Sequence, residues 1–387
     1  MKKAISVTLA MLFAFSLAAC GQPADNNNAA ATDAAATDAA TTENVPEKGV
    51  SIAHVVAGNL GDQGLSDMVQ AALTDYVNEY GGTVNAVELN YDASLNDSTM
   101  LELCRGGEYD IIASGFYNML EAIQTAAAQF PDQKFLAFDV ELDYSDGKNK
   151  NVKSIQAKQN EGSFLVGALA ALMTTREEIT GINDQKKVSF IGGMENTAIL
   201  DFLTGYVDGV KYIDPSVEVT YSFIGSFSDT AAAKELTLAQ YQQGSDVVYA
   251  VCSTASLGVA DAGRENENLV IGVDWDLAES LKANNPETAK WVVTSCLKDL
   301  RRLIYDLMLE YQNGTIQWGT HTFAGVKAGG MRLAENDIYK STVPQDIQDK
   351  MTQIIKDISD GKIEVGTAIG ADQAAIDAMK AKAASRS

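Results

Sequence analysis

Leu269-Val270-Ile271-Gly272-Val273-Asp274-Trp275-Asp276 joins a short apolar run to two carboxylates that flank one tryptophan. A continuous apolar run of this length suits a strand covered on both faces of a parallel sheet. Parallel sheets present their ligand-facing groups just beyond the carboxyl ends of the strands, so Asp274 and Asp276 are expected at the mouth of a crevice. Taken alone the pair has a plainer use, because Asp often solvates a loop or caps the next helix. If strand geometry continues past Asp274, Trp275 faces the other way and the two aspartates share one face.

Outward from this stretch, strand-like and helix-like segments alternate twice. The first set has strands over 50–57, 84–89, 110–114, 134–138 and 152–157, with helical patterns over 66–80, 96–104 and 119–129 between them. The second restarts with an apolar helix over 160–173. Strands follow over 187–192, 217–224, 246–251 and 269–274, with helices over 198–212, 229–243 and 256–264 between them. Alternation of this kind predicts an α/β fold in which helices cover parallel sheets, here as two similar lobes. Beyond them come a strand over 291–295, a helix over 299–311, short strands within 321–333 and a last amphipathic helix over 344–360 with Pro344 in its first turn.

The amino terminus has a separate logic. Lys2 and Lys3 precede an apolar run from Ala4 to Ala19, too short for a permanent span but suited to a secretory signal. It ends in Leu17-Ala18-Ala19-Cys20-Gly21, which resembles the bacterial lipobox and makes Cys20 the expected lipidated residue of the mature chain. From Gly21 to Lys48 small and polar residues dominate and cannot bury enough surface to offset chain entropy, which predicts a tether between anchor and folded part. The remaining cysteines, Cys104, Cys252 and Cys296, match neither a disulfide framework nor a zinc pattern and are expected as buried thiols.

The 387 residues carry 29 basic and 52 acidic side chains, a net charge of -23 that repels nucleic-acid phosphates and anionic membrane surfaces. Only two histidines occur, His54 and His321, and no nucleophile elbow, P-loop or zinc-protease motif accompanies them. No cofactor and no metal is expected, and nothing positive argues for an enzyme. Polar groups do gather after the expected strands: Asp62, Ser66 and Asp67 in and after the first loop, Ser114 and Tyr117, Asp139, Ser253 and Thr254, and Asp274 and Asp276. Parallel sheets would bring them to one cleft. Carboxylates beside aromatic faces such as Phe202, Phe223 and Trp275 suit a ligand with a sugar and a planar heterocycle.

Several of these stretches resemble, in order, those of one family. They include Gly61-Asp62-Gln63-Gly64-Leu65-Ser66-Asp67, Phe135-Leu136-Ala137-Phe138-Asp139, Gln159-Asn160-Glu161-Gly162, Phe202-Leu203-Thr204-Gly205-Tyr206, Ile271-Gly272-Val273-Asp274-Trp275-Asp276 and Thr294-Ser295-Cys296-Leu297-Lys298. The chain is similar over Val50–Ile363 to the basic membrane protein lipoproteins, type I periplasmic-type binding proteins that serve ABC importers, many of them for purine nucleosides. The resemblance implies two Rossmann-like lobes joined by a three-stranded hinge, crossed near Ile155, Ser295 and Trp318. The lobes would be 49–155 with 296–318, and 156–295 with 319–387. It also implies that Asp139 binds the base, that Leu65, Phe202 and Phe223 pack on it, and that Asp274 or Asp276 takes the ribose hydroxyls. Lys298 would reach the sugar or that carboxylate. Gly64-Leu65-Ser66 stands where the family commonly has Ser-Phe-Asn, which removes an aromatic face. The implied protein is a monomeric, lipid-anchored receptor on the extracytoplasmic side of the cell membrane, working with ABC permease subunits. A sugar or small-solute receptor acting as a surface sensor is the alternative, and a nucleoside hydrolase a further one.

Overall fold

The computed structural model describes residues 49–61 and 64–385. The signal segment, Cys20, the tether and Asp62 lie outside the described residues.

Twelve strands occur among them: β1 (Val50–Val56), β2 (Gly82–Glu88), β3 (Ile111–Gly115), β4 (Lys134–Phe138), β5 (Val152–Ala157), β6 (Lys187–Gly192), β7 (Glu218–Phe223), β8 (Val247–Val251), β9 (Leu269–Asp274), β10 (Val292–Lys298), β11 (Thr320–Ala324) and β12 (Met331–Leu333). They form two six-stranded sheets, ordered β11-β5-β4-β3-β1-β2 and β12-β10-β9-β8-β6-β7. Every pairing is parallel except β12 against β10. The helices are α1 (Leu65–Tyr80), α2 (Asn96–Gly106), α3 (Leu120–Gln129), α4 (Gln159–Met173), α5 (Thr197–Ile213), α6 (Thr230–Gln242), α7 (Ser256–Asn266), α8 (Leu277–Lys282), α9 (Pro286–Ala289), α10 (Leu300–Gln312), α11 (Asp337–Thr342), α12 (Gln345–Ser359) and α13 (Gln373–Ala384).

Successive strand residues point to opposite faces, so each sheet supports two cores. In the first, Ile52, Ile111 and Leu136 pack on α1 and α10, while Ala53, Ile112 and Phe135 pack on α2 and α3. In the second, Phe190, Tyr249 and Ile271 face α4, α5 and α12, and Ile191, Val248 and Val270 face α6 and α7. Cys104, Cys252 and Cys296 are buried free thiols.

The three crossings differ in place from the expectation. All of β10, through Lys298, belongs to the second sheet, and β11 pairs with β5 in the first. The crossings therefore fall at Lys158, at Asp299 and between Ala324 and Met331. Residues 319–324 thus belong to the first lobe's side, where β11 runs parallel to β5 and Thr320 and Thr322 also accept from Lys153 Nζ at 2.9 and 2.7 Å. At the seam, Lys158 N donates to Ala324 O and Asp299 N to Gly330 O, each at 3.0 Å, which ties the crossings together. Two further differences lie near the carboxyl end. Pro344 is the N-cap of α12, outside its first turn. Another helix, α13, follows; its run of alanines with Ile376, Met379 and Ala383 buried carries a weak apolar stripe.

Helices α4 and α5 touch backbone to backbone. A Cβ on Gly167 would stand 2.0 Å from Tyr206 O, one on Gly205 2.0 Å from Asn160 O, and one on Gly209 2.1 Å from Phe164 O. Only glycine permits that approach, and it sets the first turn of α4, at Asn160, against the middle of α5, at Gly205. Overpacking at such a contact costs about 1–3 kcal/mol. Gly209→Ala is therefore expected to lower the calorimetric melting temperature by several degrees; an unchanged transition would contradict this packing.

Candidate functional site

Lys298 is the last residue of β10 and only 3% exposed. Its Nζ reaches across to the first lobe and donates to both carboxylate oxygens of Asp139 at 3.1 Å, and to Gln159 Oε1 at 3.1 Å. Gln159, at the start of α4, is aimed by its own Nε2, which donates to Ala198 O on α5 at 3.0 Å. The ammonium also lies 5.3 Å from the ring centre of Phe202 on α5, a cation–π distance. Burial opposes the charged amine, but the Asp139 and Asp274 carboxylates outweigh it and hold the Lys298 pKa above its ordinary value.

Asp274 ends β9, beside β10 in register with Leu297. Its Oδ1 is buried and has no hydrogen-bond partner. Burial pushes its pKa up to about 6, against the pull of Lys298 and with the repulsion of Asp139 added. Asp276 is used otherwise. Its carboxylate caps α8, accepting from Glu279 N at 3.1 Å, and it also accepts from Asn336 Nδ2 at 2.9 and 3.0 Å. The expected shared face is lost because the strand stops at Asp274, whose φ of 65° turns the chain.

Positive φ recurs after other strands, at Asn90 and Tyr91 after β2 among them. Phe116, Asp139, Ser253 and Asp274 follow or end β3, β4, β8 and β9 with φ of 67°, 52°, 51° and 65°. Left-handed backbone at residues other than glycine is uncommon and costs on the order of 1–3 kcal/mol each, and it clusters where function holds it. Here it sits at strand carboxyl ends in both lobes.

The other expected groups surround this centre unevenly. Leu65 opens α1 and packs half-buried on the first core; Ser66 is half-buried behind it. Asp67 Oδ1 accepts from Gly61 N at 2.8 Å and so fixes the first loop. Tyr117 is 74% exposed, while its neighbour Phe116 stacks edge-on against Phe138 with centroids 5.4 Å apart. Ser253 is half-buried after β8. Phe223 ends the edge strand β7, four strands from β10 and hence roughly 19 Å away across the sheet, so it does not join Lys298 and Phe202. Lys298 finds Asp139, where a bond to either second-lobe aspartate had been an alternative.

Two sheets whose strand ends meet over a buried Lys–Asp pair are the setting in which the comparisons with known proteins fall. Residues 49–364 match the family Bmp, described as ABC transporter substrate-binding protein PnrA-like. The chain belongs to the Bmp family. Among its relatives, the ABC transporter nucleoside-binding protein BmpA of Lactococcus lactis subsp. cremoris is 29% identical over 267 residues, covering 66% of this chain and 71% of that one. Basic membrane protein D of Borreliella burgdorferi is 29% identical over 219 residues, 56% of this chain and 59% of the relative. A solved ABC transporter solute-binding protein from Aeropyrum pernix K1 superposes with a TM-score of 0.72 at 21% identity, covering 86% of this chain and 98% of that one. The fold is thus that of two-lobed solute-binding proteins, and the Bmp family is one of transporter substrate-binding proteins, not of enzymes. Among the described residues no helix is long and apolar enough to cross a membrane.

Two groups near Lys298 carried no readable signal in sequence. Gln159 gains its role only through α4's approach to β10. Asp201, fully buried on α5, feels the charge of Lys298 although nearly a hundred residues separate them. Only their neighbours in space distinguish these residues from ordinary core polar groups.

The raised pKa of Asp274 has a defined sign in stability. Its folded value of about 6 lies above the ordinary 3.8, so the ionised carboxylate opposes folding at neutral pH, and the penalty fades as pH falls from about 6 toward 4. Asp274→Asn is expected to melt higher than the parent at pH 8, with the gap closing through that window. A gap independent of pH would show that Asp274 is not a desolvated charge.

Proposed function

We propose that this substrate-binding protein is the extracytoplasmic, lipid-anchored receptor of an ABC importer and that its ligand is a purine nucleoside held between the lobes. The observation that carries the ligand assignment is Asp274 Oδ1, buried and without a donor beside Lys298. A buried acceptor left unpaired costs about 1–3 kcal/mol, and a hydroxyl-bearing ligand would recover it. Lys298 already has oxygen partners, so the empty hydrogen-bonding capacity on this side calls for a donor, as ribose hydroxyls are. On the first-lobe side the Asp139 carboxylate can accept from a base N–H, and Phe202 closes an apolar wall below the ammonium. The L. lactis relative named as a nucleoside-binding protein supports the same reading. Anchoring is proposed through Cys20, with the stretch up to Lys48 as tether, so that the lobes close on the ligand and present it to permease subunits.

The ligand test is a melting series with inosine, adenosine and guanosine against ribose and glucose. A ligand at a hundred times its Kd adds about 2.7 kcal/mol of stability, a rise of several degrees. Nucleosides should produce it, and Asp274→Ala should abolish it while the empty variant stays folded. A rise with sugars alone would overturn the nucleoside assignment and favour the sugar receptor.

Anchoring is tested in cells. Labelled palmitate should enter the full chain and not Cys20→Ala, which should leave the membrane fraction; equal membrane retention without label would refute the anchor.

A further inference from the structure

The Bmp match ends at residue 364, yet the chain continues over the second lobe and is tied to it at each step. Asn160 Nδ2, next to Gln159, donates to Val365 O and Gly366 O at 3.4 and 3.0 Å. Asp201 Oδ1 accepts from Thr367 Oγ1 at 2.6 Å and from Ala368 N at 2.8 Å. Farther along α5, Asp208 accepts from Gly366 N at 2.9 Å and from Lys382 Nζ at 2.6 Å. Lys380 of α13 pairs with Glu195, in the loop that follows β6. The segment after residue 364 thus staples α5 from its first turns onward.

Asp201 is where this staple meets the ligand site. It is fully buried, and its Oδ1 is spent on the segment. The residue that follows it is Phe202, whose ring lies under Lys298 Nζ. One turn earlier on α5 is Ala198, whose carbonyl aims Gln159 at the same ammonium. A shift of this part of α5 would move both the ring and the amide that hold Lys298. A surface strap has no need of a fully buried carboxylate, since exposed donors and acceptors would tie it down without the desolvation cost.

We propose that Asp201 is a positioning residue: through Thr367 and Ala368 it fixes α5 against the carboxyl-terminal segment and thereby holds Phe202 and Gln159 around Lys298. The segment so acts on ligand affinity without placing a group in the cleft. This rests on Lys298 and Phe202 belonging to the ligand site.

The test follows Lys298 itself, in the full chain. Acetic anhydride labelling, read by mass spectrometry on the peptide containing Lys298 and normalised to the exposed Lys290, measures how often the buried amine opens. Thr367→Val and Asp201→Ala should speed Lys298 labelling roughly threefold to tenfold, the change in an opening equilibrium when one buried hydrogen bond is lost. Asp201→Asn keeps the acceptor and should restore the parent rate. A lower melting temperature with Lys298 labelling unchanged in Thr367→Val would reduce Asp201 to a structural anchor and overturn the proposal. The inosine Kd should weaken in the same order as labelling. If the parent binds no nucleoside, the nucleoside assignment fails while labelling still decides the role of Asp201.

Discussion

A buried ammonium is tolerable only beside charges and dipoles that replace its water, and Lys298 finds these on both sides of the molecule. Its carboxylate partner, Asp139, comes from the first sheet, and its amide partner, Gln159, from the first turn of the helix after the first crossing. Removing one partner of such a pair leaves an uncompensated charge, at a cost of several kcal/mol. The seam between the lobes is thus specified by electrostatics as well as by chain crossings. The backbone bond from Asp299 to Gly330 starts one residue after Lys298, and that from Lys158 to Ala324 starts one residue before Gln159, so crossings and site adjoin along the chain.

Beside that pair the structure leaves one carboxylate oxygen of Asp274 without a partner and engages both oxygens of Asp276. Asp274 and Asp276 show the contrast within three residues. One turns through a left-handed backbone and keeps a buried oxygen unpaired; the other has both oxygens engaged by Asn336 and a helix terminus. The same left-handed turn recurs at Phe116, Asp139 and Ser253, so strain is shared between both sheets at their carboxyl ends. Strained backbone and an unsatisfied acceptor both cost stability. Their coincidence at one edge supports the proposed ligand site.

Much of this was legible in the chain. Apolar runs ending in Asp139 and Asp274 placed those residues at strand ends, whereas the strand expected over 291–295 stopped short of Lys298; alternation of elements gave two lobes, because burial on both faces of a parallel sheet leaves an unmistakable apolar pattern. The weaker patterns misled. Thr320 to Ala324 is largely polar and half-exposed, so no apolar run announced its backbone ladder with β5, to which Lys153 adds side-chain bonds. Helix α13 is alanine-rich with few anchors, and its place depends on side-chain bonds to α5. Phe202 and Phe223 looked alike as aromatic candidates, but strand order separates them.

What the sequence by itself determined is what period and composition encode: the two α/β sets, the acidic balance and the candidate carboxylates. Those features are local, written within a few turns or one strand. Tertiary structure alone decided which carboxylate is a cap and which stays unpaired, that Lys298 pairs with Asp139, and that Gln159 and Asp201 belong to its surroundings. Each of these is a contact between residues tens to hundreds of positions apart, set by strand order and helix packing. The energy of a buried charge depends on what lies within a few ångströms of it, and no stretch of sequence records that distance.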